Sequence, residues 1–306
     1  MKKRRAQPLF ELHEVQAADK ITLRGVLARP VRRARRGTGV AALWVHGLTG
    51  SFYSGATRLK EIAAALDHND VALAAFNTRG HDVAASYGVS RSKKHIFAGG
   101  GFERFEDCLK DIRAAVNFLS REGYKKVFLI GHSTGANKSA YYAARAGDRR
   151  VKGAALIGPL SDTAIEMDRL GKKFKANLTR AKNFAAKNGR GAVLPASMGP
   201  HFMSAGRYLS LATPGGKEDV FPYYNPQANW KVVSKIKTPL AVIVGSKDQY
   251  LSGRRAKDLI AVFESRAAAT RAFTGIIVPG ANHGFSGTEK KLAQAVAAFI
   301  SGALKA

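Results

Sequence analysis

The sequence lacks several features that mark particular classes of protein. Its 306 residues include one cysteine, Cys108, which excludes a disulfide within the chain. No stretch approaches the ~18–20 apolar residues needed to cross a bilayer, which excludes a membrane-spanning protein. The basic segment Met1–Arg5 is followed by Glu11, His13 and Glu14 with no apolar core between them, so it does not qualify as a secretory signal peptide. We therefore expect a cytoplasmic location.

Acidic residues are scarce. The chain has 22 Asp and Glu against 50 Lys and Arg, which gives a net charge of +28. Such a charge suits an anionic partner, but the basic residues are spread along the whole chain. They are not interleaved with aromatic residues as in an RNA-binding sheet, and no zinc-ligand spacing occurs. We therefore expect no specific nucleic-acid partner. A generally basic surface and an anionic substrate both remain as explanations of the net charge.

Nucleotide-binding motifs and internal repeats are also missing. The run Gly99–Gly101 lacks the Gly-Lys-Ser/Thr ending of a phosphate-binding loop, and no nicotinamide or flavin fingerprint is present. Neither a metal nor an organic cofactor is therefore implied.

Short apolar segments alternate with segments of helical spacing along most of the chain. The predicted strands are 9–15, 21–27, 40–45, 71–76, 126–130, 151–157, 240–244 and 272–278. The predicted helices are 57–66, 103–120, 136–146, 253–264 and 289–300. This alternation predicts an α/β fold with a doubly wound, mostly parallel sheet, and the first two strands predict a hairpin.

The alternation stops for about seventy residues, which predicts an inserted cap or lid at residues 159–230 within a core formed by 1–158 and 231–306. A helix is predicted at about 163–187, and His201 is a candidate substrate contact. Its apolar residues fall at three- and four-residue steps: Met167, Leu170, Phe174, Leu178 and Ala181. Because the segment follows a strand of the sheet, we expect this helix to form the roof of an active site.

A Gly-x-Ser-x-Gly pentapeptide, Gly131 to Gly135, follows an apolar strand and leads into a helix of small residues. This context is typical of a nucleophile elbow, a strained turn that holds Ser133 above the sheet. Both glycines are expected, because side chains at their positions would clash with neighbouring backbone. The context favours a nucleophilic role for Ser133 over the ordinary alternative, a serine that caps a helix.

A serine nucleophile needs a histidine base, and the base needs a carboxylate that orients it. Among the eight histidines, His283 follows the last buried strand, so its loop opens onto the same sheet edge as Ser133. Asp248 follows another strand at this edge and is the predicted acid. Asp162 stays open as an alternative acid, although the segment Ser161–Glu166 reads as a capped helix start.

Acyl transfer also needs hydrogen-bond donors for the oxyanion. The amide of Thr134, directly after the predicted nucleophile, is one candidate. The other is expected from the loop after the first buried strand, where the His-Gly sequence at His46 precedes Leu48. We predict the amides of Leu48 and Thr134 as the oxyanion hole.

Taken together, these elements resemble the α/β-hydrolase superfamily from about Phe10 to Ile300. The matching segments are the His-Gly loop at His46, residues 77–81, the turn at Ser133, residues 245–248 and residues 280–284. The chain order Ser133, Asp248, His283 is the one this superfamily uses. The Gly-His-Ser-Thr-Gly form with two tyrosines soon after it is locally similar to a group that includes fungal siderophore-ester hydrolases.

The sequence thus predicts a serine hydrolase that cleaves a carboxylic ester of a small molecule through an acyl-enzyme. Thioesters, lactones and amides stay open as substrates, as does a non-catalytic binding protein on the same scaffold. Residues 169–190 carry eight basic side chains and no acidic one, so an anionic ester is a candidate substrate.

Overall fold

The chain folds around a central β-sheet. The computed structural model describes residues 8–31, 39–199 and 202–305. The strands in these residues are β1 (Phe10–Gln16), β2 (Thr22–Ala28), β3 (Val40–Val45), β4 (Ala72–Phe76), β5 (Ala85–Gly88), β6 (His95–Ala98), β7 (Lys126–His132), β8 (Val151–Ile157), β9 (Leu240–Gly245) and β10 (Phe273–Val278). The α-helices are α1 (Ala56–Asp67), α2 (Cys108–Arg121), α3 (Thr134–Arg145), α4 (Asp162–Leu170), α5 (Phe174–Asn188), α6 (Ala205–Ala212), α7 (Ala256–Arg266) and α8 (Glu289–Lys305). Single 3₁₀ turns lie at Phe105–Asp107, Gly171–Lys173 and Val233–Lys235.

Eight of these strands form one sheet in the order β1-β2-β4-β3-β7-β8-β9-β10. Strands β1 and β2 pair antiparallel, as do β2 and β4, and the remaining neighbours are parallel. The predicted doubly wound, mostly parallel sheet and the predicted first hairpin are confirmed. Because β3, β7, β8, β9 and β10 run in the same direction, their C-terminal ends meet at one edge of the sheet.

Helices cover both faces of the sheet and produce two apolar clusters. Helices α1 and α8 pack on one face, and α2, α3 and α7 pack on the other. Strand β3 is buried along its whole length because it lies between the two layers. Its side chains alternate between the clusters, with Val40, Ala42 and Trp44 on the α1 side and Ala41, Leu43 and Val45 on the other.

The segment between β8 and β9 contains α4, α5 and α6, whose apolar residues form a third cluster of their own. The predicted continuous helix at 163–187 is wrong, because the chain leaves helical geometry at Gly171, where φ is 52°. The predicted apolar stripe nevertheless packs together: Phe174, Leu178 and Ala181 are buried in the third cluster. The division into core and inserted cap stays a prediction.

Three elements were not anticipated from the pattern. Strands β5 and β6 form a separate two-stranded sheet, and most of their residues are at least partly exposed, so no apolar run marks them. Helix α6 is only eight residues long, but its start carries a recognisable signal. Ser204 Oγ accepts a hydrogen bond from the amide of Arg207 at 3.2 Å, the usual arrangement of a serine N-cap.

None of the helices in the described ranges combines the length and the apolar character needed to span a bilayer.

Candidate active site

Ser133 lies on the turn between β7 and α3. Its backbone angles, φ 58° and ψ −131°, are strained for a residue with a side chain. Its amide is held by the carbonyl of Ile157 at 2.9 Å, on the neighbouring strand β8. The turn therefore has the backbone geometry expected of a nucleophile elbow.

The glycine at the end of the pentapeptide makes this turn possible. A Cβ atom on Gly135 would lie 2.1 Å from the carbonyl oxygen of Val45, at the end of β3. Such a contact is impossible without moving the backbone, so α3 can approach the sheet only with glycine here. The predicted reason for this glycine is confirmed.

His283 and Asp248 form a buried pair at the same sheet edge. Nδ1 of His283 lies 2.9 Å from Oδ2 and 3.1 Å from Oδ1 of Asp248, and both residues are less than a tenth exposed. Oδ1 also accepts from the amide of Tyr250 at 2.9 Å, and the amide of His283 donates to the Gln249 side chain at 3.1 Å. The carboxylate is therefore fixed, and it holds the proton of the imidazole on Nδ1.

Gly158 packs directly against this pair at the end of β8. Its φ is 53°, and a Cβ atom there would lie 3.1 Å from Nδ1 of His283 and 3.3 Å from Oδ2 of Asp248. Both the backbone conformation and the close approach favour glycine.

The second ring nitrogen of His283, Nε2, is buried and has no hydrogen-bond partner in the described part of the chain. His283 and Ser133 line the same cavity of about 530 Å³. The structure therefore brings Ser133, His283 and Asp248 to one site, with no hydrogen bond between Ser133 and His283. In ligand-free enzymes such a bond often forms only when the substrate is present.

Leu48 and Thr134 line the same cavity as Ser133. Gly47 packs against the Ser133 side chain, which brings the loop after β3 beside the turn. Thr134 is the first residue of α3, and amides in the first turn of a helix have no acceptor within it. Leu48 and Thr134, whose amides are predicted to bind the oxyanion, thus lie in the wall of the cavity that also contains Ser133.

Two further histidines hold the backbone around the site. Nδ1 of His46 lies 2.9 Å from the carbonyl oxygen of Gly47, and Nε2 accepts from the amide of Thr78 at 3.0 Å. Nε2 of His132 lies 2.8 Å from the carbonyl oxygen of His283. Burial lowers the pKa of His46 to about 4, with a further effect from the Lys138 charge, and burial lowers the pKa of His132 well below its usual value. Both are neutral hydrogen-bonding groups that position the two functional loops.

The cavity has two walls. One is formed by the ends of strands and the loops after them, and the other is formed by residues between β8 and β9. The second wall consists of Leu160, Asp162, Ile165, Glu166, Met203, Tyr208 and Leu211. Much of this surface is apolar, as expected for a small-molecule site. Residue 201, a histidine proposed to touch substrate, lies outside the described residues.

Asp162 and Glu166 are the acidic residues on this side. Asp162 makes no hydrogen bond with His283, and its Oδ2 is buried without a partner among the described residues. Burial raises the pKa of Asp162 to about 8, and the charge of Glu218 adds to this effect. Ser161 caps α4 by accepting from the amide of Ala164 at 3.2 Å, so the predicted helix start is confirmed.

The basic run at 169–190 lies away from the cavity. None of its residues contributes to the lining, and Lys172, Lys173 and Lys175 are exposed. Helix α5 packs its apolar face against α6, which places its charged face outward. Of the helix predicted to roof the site, only the α4 part lines the cavity, so the prediction is wrong for α5.

A buried charge network connects the turn helix α3 with α6, and sequence reasoning missed it. Glu103 lies 2.8 Å from Nζ of Lys138 and 3.2 Å from the Arg207 guanidinium, which also pairs with Glu218. All four side chains are almost fully buried. Because the four partners come from different segments of the chain, no local spacing in the sequence indicates the network. Arg58, which also lines the cavity, was missed for the same reason.

The family described as "Protein of unknown function (DUF1749)" matches residues 30–305. No curated protein matches the chain.

Several solved structures share the fold. Est1E from Butyrivibrio proteoclasticus, with ferulic acid bound, matches over 95% of this chain and 99% of its own, at 18% identity and a TM-score of 0.66. The Pyrococcus furiosus esterase Pf2001 matches over 96% and 91%, at 15% identity and a TM-score of 0.61. The esterase domain of a Rhodothermus marinus protein matches over 95% and 97%, at 18% identity and a TM-score of 0.56. At these identities the likeness shows the fold alone.

Proposed function

The chain belongs to this DUF1749 family, within the α/β-hydrolase superfamily, and on that premise we propose that it is a serine hydrolase that cleaves carboxylic esters of small molecules. The observation that carries the proposal is the convergence of Ser133 and the His283–Asp248 pair on one cavity. Two of the structural neighbours named above, Pf2001 and the Rhodothermus marinus domain, are esterases by name, which supports the same class of reaction.

In the proposed mechanism, Ser133 Oγ attacks the ester carbonyl carbon while Nε2 of His283 takes the hydroxyl proton. Asp248 keeps the imidazole in the required tautomer and stabilises the imidazolium that forms. The amides of Leu48 and Thr134 donate to the oxyanion of the tetrahedral intermediate. Collapse of this intermediate breaks the bond to the alcohol oxygen, which receives the proton from His283.

The acyl-enzyme is then hydrolysed by the same groups. Water attacks the Ser133 ester while His283 accepts its proton, and the second tetrahedral intermediate releases a carboxylic acid. Collapse returns the proton to Ser133 Oγ, so the cycle consumes one water and leaves the enzyme unchanged.

The substrate is expected to be a small molecule, because a cavity of about 530 Å³ accommodates one. The candidate anionic substrate cannot depend on the α5 lysines as cavity-lining groups, since they lie outside it. The cytoplasmic location stays a prediction from the sequence.

The proposal is tested with p-nitrophenyl esters of graded acyl length, together with the thioester and the anilide of the best acyl group. We expect ester turnover in the wild-type protein and a loss of at least about 10⁴-fold in Ser133→Ala. A fluorophosphonate probe should label wild type at Ser133. The matched variant Ser54→Ala, which alters another serine of the cavity wall, should still be labelled.

Three outcomes would contradict the proposal or narrow it. Labelling at a different residue with activity retained in Ser133→Ala would refute the assigned nucleophile. Preferred turnover of the thioester or the anilide would change the substrate class but keep the site. No turnover and no labelling would favour a binding protein on a hydrolase scaffold.

A further inference from the structure

Arg58 is a cationic side chain in the wall of the same cavity. It extends from the first turn of α1 and lines the cavity beside Ser51 and Ser54. One guanidinium nitrogen, Nη1, donates to the carbonyl oxygen of Gly284 at 2.6 Å, and the guanidinium lies 5.6 Å from the centre of the Trp44 ring. The side chain is thus held in place next to the loop that carries the predicted base.

No carboxylate in the described ranges lies within ion-pairing distance of Arg58. Its Nε is buried and has no hydrogen-bond partner in the same residues. Burial lowers the pKa of Arg58, and the charge of Glu289 offsets that effect only in part. Arg79 and Arg207, which are more deeply buried than Arg58, each contact at least two carboxylates. A partly buried guanidinium that lines a cavity without a counter-ion is unfavourable, which favours an anion brought by the ligand.

The N-terminus of α1 lies beside Arg58, although Gly55, Ala56 and Thr57 do not line the cavity. Gly55 is the N-cap and supplies no capping side chain, and the first turn contains no acidic residue. The Nη2 atom of Arg58 lies over Gly55, 2.9 Å from the position a Cβ atom would take there. The helix dipole makes a cation near this end unfavourable on its own, which adds to the cost of the unpaired guanidinium.

The acidic residues of the opposite side do not cancel this charge. Both oxygens of Glu166 are engaged, by the Arg169 guanidinium at 2.8 and 2.7 Å and by the Tyr208 hydroxyl at 3.0 Å. The carboxyl of Asp162, with its pKa raised by burial to about 8, is mostly protonated at pH 7. A substrate in the cavity therefore meets a positive group at Arg58 that pairs with no carboxylate of the described ranges.

We propose that Arg58 binds a carboxylate, or another anionic group, of the ester substrate inside the catalytic cavity. The inference rests on the proposed function, because it assigns a substrate class to the same site. It places charge recognition in the core of the protein rather than on the exposed lysines of α5.

Binding is measured first, in the Ser133→Ala background, so that turnover does not interfere. One pair of probes carries the charge on the alcohol side: 4-acetoxybenzoate and its methyl ester. The other pair carries it on the acyl side: mono-p-nitrophenyl glutarate and its methyl ester. We expect the anionic member of at least one pair to bind about tenfold or more tightly than its neutral partner, the value of one charge-assisted hydrogen bond. The pair that shows the preference identifies the side of the ester that carries the anion.

The preference is then tested in Arg58 variants on the same background. Arg58→Gln should abolish it, and Arg58→Lys should retain part of it, because the lysine keeps the charge without the Nε donor. The matched control Lys175→Gln removes one exposed positive charge from α5 and should leave the preference unchanged. Loss of the contact with Gly284 should affect the binding of both members of a pair equally. The ratio of their two affinities therefore isolates the effect of the charge.

Equal affinities for the anionic and neutral members of both pairs would overturn the inference. A preference that survives Arg58→Gln, or one that Lys175→Gln also removes, would do the same. Failure of the proposed function would give another result. The wild-type protein would then hydrolyse no ester, but its preference for the anionic probe would still depend on Arg58.

Discussion

The two sides of the cavity differ in the groups that they present to a substrate. On the core wall, formed by the loops after the strands and by Arg58, His283 and Asp248 are fixed by each other and by backbone amides. On the insertion wall, formed by Leu160, α4, Met203 and α6, Asp162 has a buried oxygen without a partner. The core wall therefore holds its functional atoms in one geometry, whereas the insertion wall presents a mainly apolar surface.

This difference follows from the elements that build each wall. Six parallel strands end at one edge, and hydrogen bonds along the sheet fix where each following loop begins. The helices of the insertion wall are placed mainly by apolar packing, which tolerates exchanges of similar volume, and α6 is also held by the buried pair of Arg207 and Glu103. We infer that the chemistry depends on the core wall and that the insertion wall mainly shapes the space for substrate.

The largest expected difference between the walls lies in their carboxylates. Asp248→Asn should lower kcat/KM for a neutral ester by about 10³–10⁴-fold, because the amide favours the wrong tautomer of His283. Asp162→Asn should lower it by less than about tenfold, since an amide closely matches a protonated carboxyl in shape. If Asp162→Asn lowered kcat/KM by orders of magnitude and Asp248→Asn did not, the assignment of the acid would be reversed.

Two glycines allow a matched test of positioning. Gly158, on the core wall, and Gly171, between α4 and α5, have φ angles of 53° and 52°. Alanine at either position should cost about 1–3 kcal/mol of stability, because a positive φ strains a residue that has a side chain. Only Gly158→Ala should also lower kcat, by about tenfold, since its Cβ would press on His283 and Asp248.

Circular dichroism melting and ester kinetics on both variants check this prediction. At Gly171 a Cβ atom would meet nothing within 4 Å, so that variant isolates the backbone strain. Similar kcat values in the two variants would mean that the close packing of Gly158 does not position the pair.

The sequence was informative where local pattern decides structure. Ser133 and Asp248 follow the buried strands β7 and β9, and His283 follows β10, an edge strand of which only Val278 is buried. The common direction of the three strands places these residues at one edge of the sheet. The α5 prediction failed because Gly171 interrupts a periodic stripe, and because spacing alone does not say which wall a helix joins. The role of Arg58 could not be read from the sequence, because it depends on the absence of a counter-ion in three dimensions.

The smallest expected effect is the pH dependence of stability contributed by the insertion wall. With a pKa of about 8 in the folded protein and an ordinary value of 3.8 when unfolded, Asp162 keeps a proton that the unfolded chain has lost between these values. Its contribution to stability is therefore complete below about pH 4 and is lost as the pH rises toward 8. Relative to wild type, Asp162→Asn should gain at least about 1 kcal/mol of unfolding free energy between pH 5 and pH 8. One proton sets an upper limit of about 1.4 kcal/mol per pH unit for this gain.

Urea unfolding of both proteins across this pH range measures the gain. The infrared carbonyl band of a protonated carboxyl at pH 7 should be present in wild type and missing from the variant. Parallel stability profiles and identical infrared bands would mean that Asp162 is ionised in the folded protein, and the insertion wall would then carry a negative charge opposite Arg58.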